Sequence, residues 1–170
     1  MTRIYKVLLA AAASAAATAA FGVTAASAAS PPAAGSRVSG TEHLQLMTTS
    51  ATASRVSIIA TGVFTAGGVD REGSKVDTIT FPGGTFKINH SGVTPGKQNF
   101  NPKTCLLTVK ETGPYTIGHG TGSYAGIRGH GKATVTILAI AARNSNGKCS
   151  MSRPPTAFHQ VINASGPIHL

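Results

Sequence analysis

Five carboxylates and six histidines form the chain's whole stock of side chains suited to moving protons near neutral pH. The acids are Glu42, Asp70, Glu72, Asp77 and Glu111; the histidines are His43, His90, His119, His130, His159 and His169. General acid–base work needs one such group tuned by burial or by a neighbour. Asp77 opens the β-like run VDTITF and Glu111 closes TCLLTVKET, which places both at the rim of any barrel those runs build. His43 follows Glu42 just ahead of an alternating stretch, although neighbouring side chains on a strand diverge to opposite faces. His43, Asp77 and Glu111 are therefore the catalytic candidates. Asp70 and Glu72 flank Arg71 in VDREG and read as a solvated turn.

Other chemistries leave weaker marks. No two histidines are spaced H-x-H or H-x₃-H and none joins a Cys pair, so no metal site is expected. There is no G-x-S-x-G nucleophile elbow, and no cofactor motif survives inspection. GIRGHGKATVTI (126–137) has the glycines and lysine of a phosphate loop, Gly126, Gly131 and Lys132. The next residue, which must be Ser or Thr to hold Mg²⁺, is Ala133, and the Thr/Val/Ile alternation that follows predicts a strand where such a loop needs a helix. Gly120, Gly122 and Ala125 fit G-x-G-x-x-A, but no acid follows Glu111 to hold a ribose. Across this stretch Tyr124, His119 and His130 are the candidates for contact with a bound ligand.

The elements that must position these residues are strands. After residue 40 no segment shows a 3.6-residue apolar period; alternation and Gly/Pro/Asn punctuation recur instead. Strands are predicted over 43–49, 54–66, 76–81, 85–90, 104–112, 132–142 and 156–166, with a brief one at 115–117. The PGG between the third and fourth is a link of hairpin length. Residues 67–75, 91–103, 113–131 and 143–155 read as loops. Seven to nine strands without a helix predict an all-β antiparallel fold, an eight-stranded barrel with a β-sandwich as the alternative.

GTGSYAGIRGHGKATVTI (120–137) resembles the segment of the allene oxide cyclase and dirigent group in which glycine-threonine-glycine, an aromatic and alanine-x-glycine lead into a barrel strand. Gly120, Thr121, Gly122, Tyr124, Ala125, Gly126 and Gly129 carry the match over about an eighth of the chain. The resemblance implies an eight-stranded antiparallel barrel with an apolar cavity. The group's pocket aspartates and arginines, and the cyclase's polar cavity residues, find no positions at matching spacing here.

The chain ends bound the compartment. Arg3 and Lys6 precede an uncharged Ala-rich run, VLLAAAASAAATAAFGV, and Ala26-Ser27-Ala28 gives a small-x-small cleavage pattern. Residues 1–28 thus read as a secretory signal peptide of bacterial appearance, 29–40 as a disordered leader and 41–170 as one barrel domain. Cys105 and Cys149, an even pair in an exported chain, are expected to form a disulfide worth about 4 kcal/mol of loop entropy. Without Arg3 and Lys6, thirteen basic residues face five acids, a net +8. The cations are spread singly, with no block of the kind that marks a nucleic-acid tail. A second apolar span is absent, so no membrane crossing is expected. The expectation is a secreted basic barrel that binds a small apolar or amphipathic ligand without turnover. An enzyme of the cyclase or dirigent kind is one alternative, and a module for anionic cell-wall polymers or other polyanions is another.

Overall fold

A computed structural model describes residues 38–170. Eleven strands follow in order: β1 Ser39–Thr48, β2 Arg55–Thr61, β3 Ala66–Arg71, β4 Val76–Phe81, β5 Gly84–Asn89, β6 Thr94–Asn101, β7 Leu106–Gly118, β8 Arg128–Ile140, β9 Ala142–Arg143, β10 Cys149–Ser150 and β11 Ala157–His169. One turn of 3₁₀ helix, Gly122–Tyr124, sits between β7 and β8. Neighbouring strands pair antiparallel in the order β5-β4-β3-β2-β1-β11-β8-β7, and β5 then pairs with β7, closing an eight-stranded barrel. That closing contact, Lys87–Asn89 against Thr116–Gly118, decides for a barrel over a sandwich. The predicted signal peptide, 1–28, and residues 29–37 of the predicted leader lie outside the described residues. Ser39 and Gly40 already belong to β1 and pair with His169 and Ile168.

The alternation does what its period requires. Leu44 and Leu46 on β1, Val56, Ile58 and Ala60 on β2, and Phe86 and Ile88 on β5 are all buried, while the residues between them are exposed. At one end of the barrel Phe64, Phe81, Phe86 and Tyr124 close the interior, with ring centroids 5.1–6.5 Å apart in edge and tilted contacts. Each such contact adds about 0.5–1.5 kcal/mol beyond simple burial.

All four predicted loops contain strand; in 143–155 it is only β10 and the end of β9, and in the other three it is longer. β6 falls inside 91–103, and it was invisible to alternation because all eight of its residues are exposed. It lies outside the closed barrel, on the first half of β7, with a bulge between Thr94 and Lys97. β3 falls inside 67–75 despite Gly67 and Gly68. A Cβ at Gly68 would stand 2.3 Å from the Thr80 carbonyl oxygen and 2.4 Å from the Phe81 ring, so the glycine admits the aromatic plug. β7 continues through Gly113 and Pro114 to Gly118. Pro114 sits at a fork: β6 pairs with β7 up to Thr112, and β5 takes over at Thr116. That gap on the β6/β5 side tolerates a residue without an N–H, while on the other side Pro114 stays in register with Lys132 of β8.

Length separates the two ends. β7, β8 and β11 have thirteen residues each, against six or seven for β2 to β5. Opposite the aromatic plug, the long strands overhang the short ones. There Cys105, just before β7, is bonded to Cys149 of the β9–β10 hairpin at an S–S distance of 2.08 Å.

Candidate functional site

Below the plug, inward-facing rows surround a cavity of about 280 Å³. Leu46, Ile88, Val135, Ile137 and Ile162 supply its apolar wall, and the Tyr115 ring its ceiling. The polar wall collects Glu72, Asp77, His90, Glu111 and Gln160 from β3's end, β4, β5's end, β7 and β11. Asp70, on β3 and wholly buried, stands beside them on the inner face opposite Val56 and Ile79.

The contacts within this wall are specific. His90 Nε2 lies 3.1 Å from Asp77 Oδ1, which also accepts the Gly73 N–H at 2.7 Å. The Gln160 amide donates to Glu72 Oε1 at 3.3 Å. The backbone N–H of His90 donates to the Lys75 carbonyl at 2.9 Å, fixing the ring's approach to Asp77. Neither carboxyl oxygen of Asp70 has a hydrogen-bond partner, nor does the buried Tyr115 hydroxyl. Buried polar atoms are ordinarily paired, so these unpaired ones mark the interior behind the cavity wall as uncompensated polar burial.

Burial and crowding set the protonation states. Asp70 is pushed up to about 8, first by burial and then by repulsion from Asp77 and Glu72. Glu72 is raised by burial and by Asp77. His90 is raised chiefly by its hydrogen bond to Asp77. At neutral pH a protonated carboxyl, Asp70, therefore lies buried beside a histidine hydrogen-bonded to Asp77. The aspartate–histidine pair thus lines the chamber while the protonated carboxyl is buried directly behind the same wall. Above the cavity Glu42 is also fully inside. Its Oε2 accepts the Phe64 N–H at 3.2 Å, Oε1 has no partner, and burial raises its pKa. Burial and Glu42 together push Tyr115 up to about 12.

A second cavity, also about 280 Å³, lies under the overhang between Leu107, Val109, Ala139 and Phe158 and the segment 151–155. It shares Glu72, Ile137 and Gln160 with the first, so the two chambers abut at the polar wall.

The sequence-derived candidates divide. Asp77 and Glu111 line the cavity together. His43 does not join them: it is exposed on the outer face of β1, beside a polar groove of about 510 Å³ that also touches Lys132 and Asn163. The divergence of i and i+1 side chains puts Glu42 inside and His43 outside. His119 and His130 are exposed near the plugged end, and Tyr124 is buried in the plug against Phe64, Phe81 and Phe86, away from the cavity. The solvated-turn reading is overturned for Asp70, which is fully buried, whereas Glu72 stays exposed as it edges the cavity. β3 runs to Arg71, so its pleat turns Asp70 inward and Arg71 outward, and Glu72 follows onto the cavity wall. His90 and Gln160 were not singled out from the sequence, yet each extends an inward row, Phe86-Ile88-His90 and Gln160-Ile162-Ala164. That shared parity was the signal available. Among the described residues no three His, Cys, Asp or Glu side chains are grouped to hold a metal ion. Comparison of the chain with protein-family models, curated proteins and solved structures gives no match, so the cavity's own geometry carries the functional reading.

Proposed function

We propose that the barrel binds a small amphipathic molecule, its apolar body against Leu46, Ile88, Val135 and Ile162 and a basic head on the carboxylate wall. The observation that carries this is the acid cluster at the cavity wall: Glu72, Asp77 and Glu111 line it, and Asp70, fully buried behind them with both oxygens unpaired, is crowded by Asp77 and Glu72. An ammonium head would pair with that wall and offset the burial and repulsion that hold Asp70 protonated. Residues 1–28 direct export in this reading, and the disulfide and lack of any membrane-length apolar helix among the described residues are compatible with it. The closed eight-stranded barrel is the architecture that the resemblance of residues 120–137 to the allene oxide cyclase and dirigent group implies.

Calorimetric titration with a medium-chain alkylamine, and with the alcohol and carboxylate of equal chain length, tests the proposal. The amine is expected to bind at least about tenfold tighter than the alcohol, the worth of one partly buried charge pair at about 1.4 kcal/mol. Its affinity is expected to rise from pH 5 to pH 8, as carboxyls with raised pKa ionise. A carboxylate that binds as well as the amine would overturn the proposal.

One observation favours a second reading, an enzyme that isomerises or cyclises its ligand. Asp70 as acid and the His90–Asp77 pair as base are the parts needed to give one proton and take another without a cofactor. Solvent deuterium entering a bound ligand's carbon framework, and ceasing to do so in Asp70→Asn, would move the assignment from carrier to catalyst.

A further inference from the structure

The barrel wall sorts charge by sign. All twelve lysines and arginines among the described residues are exposed. Glu42 and Asp70 are buried inside, and Asp77, Glu72 and Glu111 line the interior cavity. Apart from Glu72, which is exposed at the cavity's edge, the acids thus leave the outer wall to the cations.

Two cation pairs sharpen the pattern. Arg55 on β2 lies directly opposite Arg71 on β3, and Lys97 on β6 directly opposite Lys110 on β7. Like charges facing each other across strands are destabilising, and these exposed positions have no packing need for a cation. None of the four has an acidic side chain as an ion-pair partner among the described residues. In the ring order β2 and β3 stand across the barrel from β7, so the two pairs occupy opposite walls.

We propose that this outer wall docks a flexible linear polymer carrying phosphates and no bases, the chemistry of a polyol-phosphate chain. A polymer phosphate seated between two opposed cations turns their repulsion into attraction, and a flexible chain reaches both walls where a flat bilayer meets one. Nucleic acid is disfavoured by the scarcity of Phe and Tyr stacking platforms: Tyr115 and Tyr124 are buried, Phe64, Phe81 and Phe86 form the plug, and Phe100 is the most exposed Phe or Tyr ring among the described residues at 36 %. This inference is independent of what the cavity holds.

The test measures binding of the full chain to inorganic polyphosphate, single-stranded DNA and phosphatidylglycerol vesicles between 20 and 300 mM salt, concentrations chosen to span the Debye range. Polyphosphate is expected to bind tightest, with log K falling steeply and linearly in log salt. Lys97→Gln/Lys110→Gln and Arg55→Gln/Arg71→Gln are each expected to lower that slope by about 1 per cation in contact. Each double variant is also expected to keep or raise the melting temperature, because a repulsive pair is removed; this separates lost docking from lost folding. Binding that ignores salt, unchanged slopes in both variants, or tighter binding to vesicles or DNA than to polyphosphate would each overturn the proposal.

Discussion

Replacing Asp70 with Asn probes the interior most sharply, because the native carboxyl is a pH-dependent liability. A rise from 3.8 to about 8 means that the folded protein holds a proton the unfolded chain gives up. Between those values the folded state binds more protons, so stability falls as pH rises. At about 1.4 kcal/mol per unit, the whole span has an upper bound of about 6 kcal/mol, most of it reached by pH 7. Water entering the neighbouring cavity trims this to about 2–4 kcal/mol, which for a domain of this size is about 10 °C in Tm. Glu72 and Glu42 act in the same direction, since both are raised by burial. His90 does too: its raised pKa gives stability that is present below its unfolded value and lost as pH climbs through the folded one. Calorimetric melting of the wild type from pH 4.5 to 8.5 is expected to show Tm falling throughout. Asp70→Asn keeps the shape and breaks no hydrogen bond, since neither carboxyl oxygen makes one. It is expected to flatten much of the slope and to exceed the wild-type Tm at pH 8. A wild-type Tm that rises over this range, or a variant with undiminished slope, would refute the reasoning.

Three further outcomes follow from packing. Phe86 is fully buried and touches Phe64, Phe81 and Tyr124, so Phe86→Ala is expected to cost about 3–5 kcal/mol in chemical denaturation. Gly68→Ala would push a methyl to 2.4 Å from the Phe81 ring, and a loss of about 1–3 kcal/mol with weakened near-ultraviolet dichroism of the plug is expected. Reducing the Cys105–Cys149 bond, which spans a sequence separation of 44, is expected to cost about 2–4 kcal/mol, seen as a lower Tm in dithiothreitol.

How much of this was readable in the sequence depends on which face each strand turned to water. β1, β2 and β5 bury one face and expose the other, so Leu44, Val56 and Phe86 announced their elements through a period of two. β6 exposes both faces and announced nothing. The polar wall was hidden for a different reason. Asp70, Glu72 and Arg71 are contiguous, and a run of charges reads as solvated; only the exact end of β3 turns Asp70 inward, and boundaries are what local pattern defines least. Asp77 and Glu111 were legible because each begins or ends a recognisable apolar row. His90 and Gln160 sit one step past such rows, and continuing Phe86-Ile88 by two residues would have found the first. That five strand segments bring these groups together is a property of barrel closure through β5 and β7, a pairing between strands distant in sequence that no local pattern encodes.

The central claim is that the interior, at the wall of Glu72, Asp77 and Glu111, is where a ligand sits. Methyl-resolved NMR of the protein titrated with a medium-chain alkylamine at pH 7.5 tests it most directly. Shifts concentrated at Leu46, Ile88, Val135, Ile137 and Ile162, with His90 ring signals moving in step, are the predicted result. Shifts confined to outward-facing Ile59 and the groove beside His43, or none at saturating amine, would contradict it.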